Sequence, residues 1–184
     1  SDDEIEMLTA VREHFKKVVL LLNVGNIIDM TDINRIAPDA VLYVWQGGMT
    51  GGKGTADVLT GKVSPSGKLP DTIAYKASDY PSDANFGMEK NRDIYAEDIY
   101  VGYRYFETFA KENVLYPFGF GLSYTAFEIK TEKAEITEGA VKLSVSVKNI
   151  GSYKGKEVIE VYCEAPQGRL GKAARVLCGF EKTK

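Results

Sequence analysis

The segment DIYAEDIYVGYRYF places three carboxylates, Asp93, Glu97 and Asp98, beside Tyr95, Tyr100, Tyr103 and Arg104. Aromatic faces stack on sugar rings, carboxylates accept hydrogen bonds from hydroxyls, and a guanidinium balances the charge, so this mixture suits a carbohydrate pocket. Glu97 and Arg104 have two roles open to them. They could line the edge of such a pocket, or form a buried ion pair that fixes one loop arrangement without doing chemistry, and the second is favoured. Cleaving a glycosidic bond takes two carboxyl groups, about 5 Å apart for retention or about 6.5–9.5 Å for inversion. With 26 Asp and Glu residues in the chain a pair is trivial to find, so no catalytic residue is assigned.

Trp45 ends an apolar run at the edge where α/β sheets bind ligands. Its face suits a sugar ring, although core packing is the commoner use of such a residue. The candidate substrate-binding or domain-interface residues are therefore Trp45, Glu97 and Arg104. The run GGMTGGKGT that follows Trp45 feeds a helix, a geometry that binds anions in principle, but it lacks the Gly-Lys-Ser/Thr ending of a phosphate loop and the ribose acid of a dinucleotide site. No nucleotide or other cofactor is expected. His14 is the single histidine and has no partners at metal-binding or triad spacing, so no metal ligand is assigned. Ser123 stands outside a Gly-x-Ser-x-Gly elbow.

These residues must be carried by two kinds of element. SDDEIEMLTAVREHF predicts a helix, because Ser1 with Glu4 fits a capping box and Ile5, Leu8, Val11 and Phe15 keep a helical stripe. VVLLLNVG and AVLYVWQ predict strands buried on both faces in a parallel sheet. A short helical segment around residues 29–36 separates them, and a helix over residues 55–59, ended by Gly61, follows. The order β-α-β-α implies a parallel unit. Two strands make a poor sheet by themselves, so further strands are expected to precede Ser1. Residues 79–91 are rich in Pro, Ser, Asp and Gly and predict a long surface loop. Beyond it, FEIKTEKAEI, AVKLSVSVKN, KEVIEVYCEA and ARVLCGFEK are short, partly alternating runs of the kind that build a β-sandwich, four where an immunoglobulin-like domain uses about seven.

Composition removes several classes. The 184 residues carry a net charge of −3 with Lys and Arg interspersed among the acids, which leaves no footprint for nucleic acid. The longest apolar run is too short to span a bilayer, and no membrane partner is expected. Cys163 and Cys178 could be bonded, but so few cysteines favour two reduced core thiols. Low cysteine use leans towards a cytoplasmic setting, although a fragment would not display a signal peptide.

Three blocks, WQGGMTGGKGTADVLTGKVSPSGKLP at residues 45–70, YAEDIYVGYRYF at 95–106 and LYPFGFGLSYTAF at 115–127, resemble the C-terminal half of glycoside hydrolase family 3, the β-glucosidase family. The resemblance covers nearly the whole chain. It implies that residues 1–123 are the second half of the family's α/β sandwich domain, a partial and mostly parallel sheet with flanking helices. Residues 124–184 would be the N-terminal part of a fibronectin type III-like domain, a partial immunoglobulin-like all-β sandwich. It implies a fragment of a retaining, exo-acting β-glucosidase acting on β-glucosides or oligosaccharides, with the barrel domain missing. The family's nucleophilic Asp lies on that barrel and its acid/base Glu upstream of a segment like residues 1–15, so both would lie outside this chain. Glu97 matches the acid of the family's Tyr-x-Glu-x-Ile-Tyr-Val-Gly-Tyr-Arg pattern, whereas Met49-Thr50 stand where Gln-Glu is usual, which removes a charge from that loop. Residues 71–87 and 108–127 look most like members in which the barrel follows the sandwich, after Lys184. The alternative from another class is a non-catalytic scaffold or carbohydrate-binding module using exposed Tyr80, Tyr95 or Tyr100. A related β-xylosidase or N-acetylglucosaminidase is a third reading.

Overall fold

A computed structural model describes all residues, 1–184. Helix α1 (Asp2–His14) opens with the expected capping box: the Glu4 amide donates to Ser1 Oγ at 3.4 Å, and the Ser1 backbone nitrogen donates to Glu4 Oε2 at 2.7 Å. It buries no residue of its own. Its attachment is polar at the far end, where Arg12 and Lys17 reach Asp39 at 3.0 and 2.9 Å while Asp39 also accepts from the Val18 amide at 2.9 Å. Lys17 foremost, then the Val18 amide, hold the Asp39 carboxyl down at about 2.

Strands β1 (Val19–Leu22) and β2 (Ala40–Tyr43) pair in parallel with Val19 opposite Ala40, and helix α2 (Thr31–Ile36) lies between them in sequence. The expected parallel unit is thus present. One expectation fails: only one face of the pair is buried. Leu22 joins Met30 and Ile73 in a core flanked by Leu20, Ile33 and Tyr43, whereas Val19 and Leu21, which alternate to the other face, are 51% and 42% exposed. The run is apolar on both sides, yet nothing in this chain covers the second side.

The glycine run after β2 differs from the sequence reading too. A 3₁₀ turn at Gly48–Thr50 passes directly into helix α3 (Gly51–Leu59), so the helix starts four residues earlier than expected. Glycine weakens a helix interior by about 1 kcal/mol relative to Ala. Here the i,i+4 pair of Lys53 with Asp57 and the Thr55 hydroxyl, which donates to the Gly51 carbonyl at 3.0 Å, support the turn that carries the glycines.

Two short strands, β3 (Ile73–Ala74) and β4 (Val114–Tyr116), pair antiparallel, and helix α4 (Tyr103–Phe109) lies between them in sequence. Phe106 of α4 is 1% exposed and packs with Ala74 and Ala110, while Tyr80 meets its ring edge-on at 5.4 Å. Residues 79–91 contain no regular element beyond the end of a 3₁₀ turn at Ala77–Asp79, as expected of a loop, and irregular chain continues to Gly102.

The second part consists of two antiparallel ribbons, β5 (Phe127–Thr137) with β6 (Ala140–Asn149), and β7 (Val158–Cys163) with β8 (Val176–Lys182). The four expected strands are all present. A register shift opposes Val161 to Gly179 and Tyr162 to Leu177, leaving Cys178 as the extra residue of a bulge. Both cysteines are free and exposed, so the thiols are not core residues: Cys163 ends its strand and Cys178 sits at the bulge.

The ribbons are fastened to the α/β part. Lys68 pairs with Glu157 at 2.8 Å, with both side chains less than one-fifth exposed, and also donates to the Gly121 carbonyl. The Phe-Gly-Phe-Gly run lies against residues 67–69, with Gly119 and Phe120 exchanging backbone hydrogen bonds with Leu69. A Cβ at Gly121 would strike the Gly67 carbonyl oxygen, which is why the motif needs glycine there.

Candidate functional site

Trp45 leaves β2 in the left-handed region, φ 56°, and lays its ring on Tyr43 at 4.6 Å between centroids. The ring is half-buried at the C-terminal end of the parallel pair, and the Tyr43 hydroxyl is held by the Asn26 carbonyl at 3.0 Å. Glu97 lies in a turn whose carbonyl accepts from the Tyr100 amide at 2.8 Å, and its carboxylate enters no ion pair. The expected Glu97–Arg104 pair is therefore absent. The two residues are seven apart in sequence, but a tight turn and Gly102, at φ 61°, redirect the chain before α4 begins.

Arg104 occupies a different setting. It stands in the first turn of α4 at a cleft of about 370 Å³ between this helix and the β7–β8 ribbon, with Lys172 as a second cation and Ile99, Ala165, Ala173 and Val176 as apolar wall. Neighbouring contacts clamp the helix to the ribbon: the Tyr103 hydroxyl accepts from the Leu177 amide at 2.8 Å, Thr108 Oγ1 accepts from the Ala174 amide at 3.0 Å, and Glu107 meets Arg175 at 3.3 Å. The Arg104 guanidinium lies 5.8 Å from the Tyr103 ring centroid, and its buried Nε has no hydrogen-bond acceptor.

A second cleft, about 300 Å³, is open to solvent and lined by Ile27, Asp29, Lys76, Tyr80, Asp83 and Phe86 among others. Acids, a lysine and an exposed Phe86 are chemistry that could bind a polyol. It does not supply a general acid at Asp29, because the Thr31 hydroxyl and amide hold that carboxyl below its ordinary range, the opposite of what proton donation near neutrality requires. Tyr80 is no stacking platform: its hydroxyl donates to the Thr72 carbonyl and accepts from the Ala74 amide, both at 2.9 Å, and its ring packs on Phe106. Tyr100 is half-buried against Phe109 at 4.9 Å, and Tyr95 alone of the three is largely exposed. His14 Nδ1–H donates to the Ala10 carbonyl at 2.7 Å, a local helix contact.

The structure does not gather Trp45, Glu97 and Arg104 into one pocket. What sequence reasoning missed is the second cleft and Lys172, since residues 27–29 meet residues 74–86, and residue 104 meets 172, only through tertiary packing.

Residues 1–124 match the glycosyl hydrolase family 3 C-terminal domain. The chain is 65% identical over 184 residues to a β-glucosidase of Ruminococcus albus, covering all of this chain and 19% of that protein. It is 46% identical to β-glucosidase A of Butyrivibrio fibrisolvens over 199 aligned positions, 98% of this chain and 24% of that one. Among solved structures, a β-glucosidase from Paenibacillus barengoltzii superposes with a TM-score of 0.94 at 53% identity, and β-glucosidase 3B from Thermotoga neapolitana in complex with glucose with 0.92 at 40%. Both superpositions cover the entire chain here, and 21% and 26% of those chains. The chain thus spans about a fifth to a quarter of the length of these relatives.

Proposed function

The chain belongs to glycosyl hydrolase family 3 through its C-terminal domain, and from that premise we propose that it is part of a larger retaining, exo-acting β-glucosidase. The observation that carries the reading is the match of this whole chain, at 65% identity, to a protein named as a β-glucosidase. In the proposed enzyme, an Asp outside this chain attacks the anomeric carbon of a terminal β-D-glucosyl unit. A Glu, also outside it, protonates the departing oxygen and then activates the water that releases glucose. This chain supplies scaffold. Residues 1–123 form the second half of the α/β sandwich domain, against which a barrel domain packs, and residues 124–184 begin a fibronectin type III-like domain. Support for the division comes from the family match ending at residue 124 and from the change, three residues later, to antiparallel ribbons alone. Trp45, Glu97 and Arg104 then serve at the substrate's edge or at a domain interface, Trp45 through its half-open ring and Arg104 through its unpaired guanidinium.

Hydrolysis of p-nitrophenyl β-glucoside tests this, using the chain alone and the intact polypeptide that contains it, with circular dichroism confirming a folded chain. Turnover by the intact protein and none by the folded chain is expected. Turnover by the chain itself would place the catalytic carboxylates inside it and make Glu97 the first to replace. Glucose binding without hydrolysis by either would favour a carbohydrate-binding module.

A further inference from the structure

Arg104 Nε and the Thr72 hydroxyl are the two buried side-chain groups without a hydrogen-bond partner, and of the two only Arg104 is charged. A guanidinium remains charged at any ordinary pH, and burying its donors without an acceptor costs more than burying a neutral amide. Yet its Nε is fully shielded from solvent and unbonded, and no carboxylate of this chain lines the cleft it occupies. The nearby acids are committed elsewhere, Glu107 to Lys111 and Arg175, and Glu164 to Arg175. Lys172 adds a second positive charge, its Nζ anchored only by the Pro166 carbonyl at 3.0 Å. The wall of the cleft itself is apolar, formed by Ile99, Ala165, Ala173 and Val176, and Ile99 is 46% exposed. A cationic slot with an apolar wall is the complement of a protein surface that presents one acidic side chain among apolar ones.

We propose that the cleft between α4 and the β7–β8 ribbon receives an Asp or Glu side chain from the rest of the same polypeptide, with Arg104, through its shielded Nε, as the inner partner and Lys172 as the rim partner. This rests on the reading of the chain as part of a larger enzyme, and three observations choose that occupant over a small anion or a second copy. The relatives have four to five times the length of this chain, so most of the polypeptide lies outside it. The apolar wall of Ile99, Ala165, Ala173 and Val176 calls for a protein surface, which a free anion would leave uncovered. And a bidentate guanidinium–carboxylate pair uses Nε together with a terminal nitrogen, the donor that is orphaned here. In this scheme Arg104 takes the domain-interface role and acts as a docking residue.

Zero-length carbodiimide crosslinking of the intact enzyme tests it, because the reagent joins a lysine amine to a carboxylate only when the two already touch. In the wild type, Lys172 is expected to form an amide with an Asp or Glu outside residues 1–184 of the same molecule. In Arg104→Lys, the introduced amine is expected to capture the same acid, with the two crosslinked peptides identified by mass spectrometry. Crosslinks confined to Glu97 or Glu164, crosslinks between two copies, or none at either position would overturn the proposal. Assaying glucoside hydrolysis on the same uncrosslinked sample separates the two failures: activity without the crosslink sinks this contact and leaves the enzyme reading intact. Should Arg104→Lys misfold, the wild-type Lys172 result decides alone.

Discussion

Asp39 is the residue on which the first helix depends, since it gathers Arg12, Lys17 and the Val18 amide at the start of β1. Its folded carboxyl titrates at about 2, below the ordinary 3.8. A depressed value contributes stability that is complete above the unfolded value and is lost as pH falls through the folded one. The difference in urea midpoint between the wild type and Asp39→Asn is therefore expected to hold steady above pH about 5 and to narrow between pH about 4 and about 2, as protonation makes the two alike. A difference unchanged down to pH 2 would refute the assignment. Lys68 poses a complementary case. Its pair with Glu157 is largely shielded, so Lys68→Met strands a carboxylate at the junction and is expected to cost about 2–4 kcal/mol by urea unfolding. Adding Glu157→Leu should return part of that loss, which a surface pair would not show.

At the scale of elements, α4 links the two parts. Phe106 plugs the core between β3 and the helix, Tyr103 and Thr108 hold the β7–β8 ribbon, and Arg104 faces the cleft between them. Phe106→Ala is expected to destabilise by about 3–5 kcal/mol, because the cavity lies among Ala74, Ala110 and Tyr80, two of which are too small to fill it. Since those contacts fix the helix that carries Tyr103 and Thr108, limited proteolysis of the variant should cut the β7–β8 ribbon sooner than wild type. Equal rates would show that the ribbon is held independently. The β5–β6 ribbon is a contrast: Ile136 and Val141 are opposite each other and 86% and 63% exposed, so its long ladder of backbone bonds lacks a covered apolar face.

For the whole molecule, surface area is the telling quantity. A compact monomer of 20.3 kDa exposes about 8,800 Å² by the usual scaling with mass, whereas this chain exposes 13,433 Å² and buries only ten residues. Exposed Val19 and Leu21 on the parallel pair, Ile99 and Val101 before α4, and Ile129 and Ile136 on the first ribbon distribute that excess over both parts. The chain by itself is expected to bind anilinonaphthalene sulfonate strongly and to self-associate as concentration rises, while the proposed longer polypeptide should bind the dye weakly. Weak binding and a monomer at every concentration would mean that the chain closes its apolar surfaces without help.

The sequence by itself determined the elements whose signal is local. The capping box of α1, the two parallel strands and the four ribbon strands follow from side-chain identity and spacing along a few residues, and the Phe-Gly and Tyr-Arg blocks are distinctive enough to carry the family. It could not show β3, two residues long, or α4, whose aromatic run is equally consistent with a pocket loop. Nor could it show whether Glu97 meets Arg104, because a left-handed residue at Asp98 and another turn at Gly102 intervene and small changes there swing the side chains apart. Tertiary structure alone decided which apolar faces are covered, that both thiols are exposed, and that Arg104, its Nε shielded, shares a cleft with Lys172 and no carboxylate. Those outcomes depend on residues that are distant in sequence and close in space, a relation that no local pattern encodes.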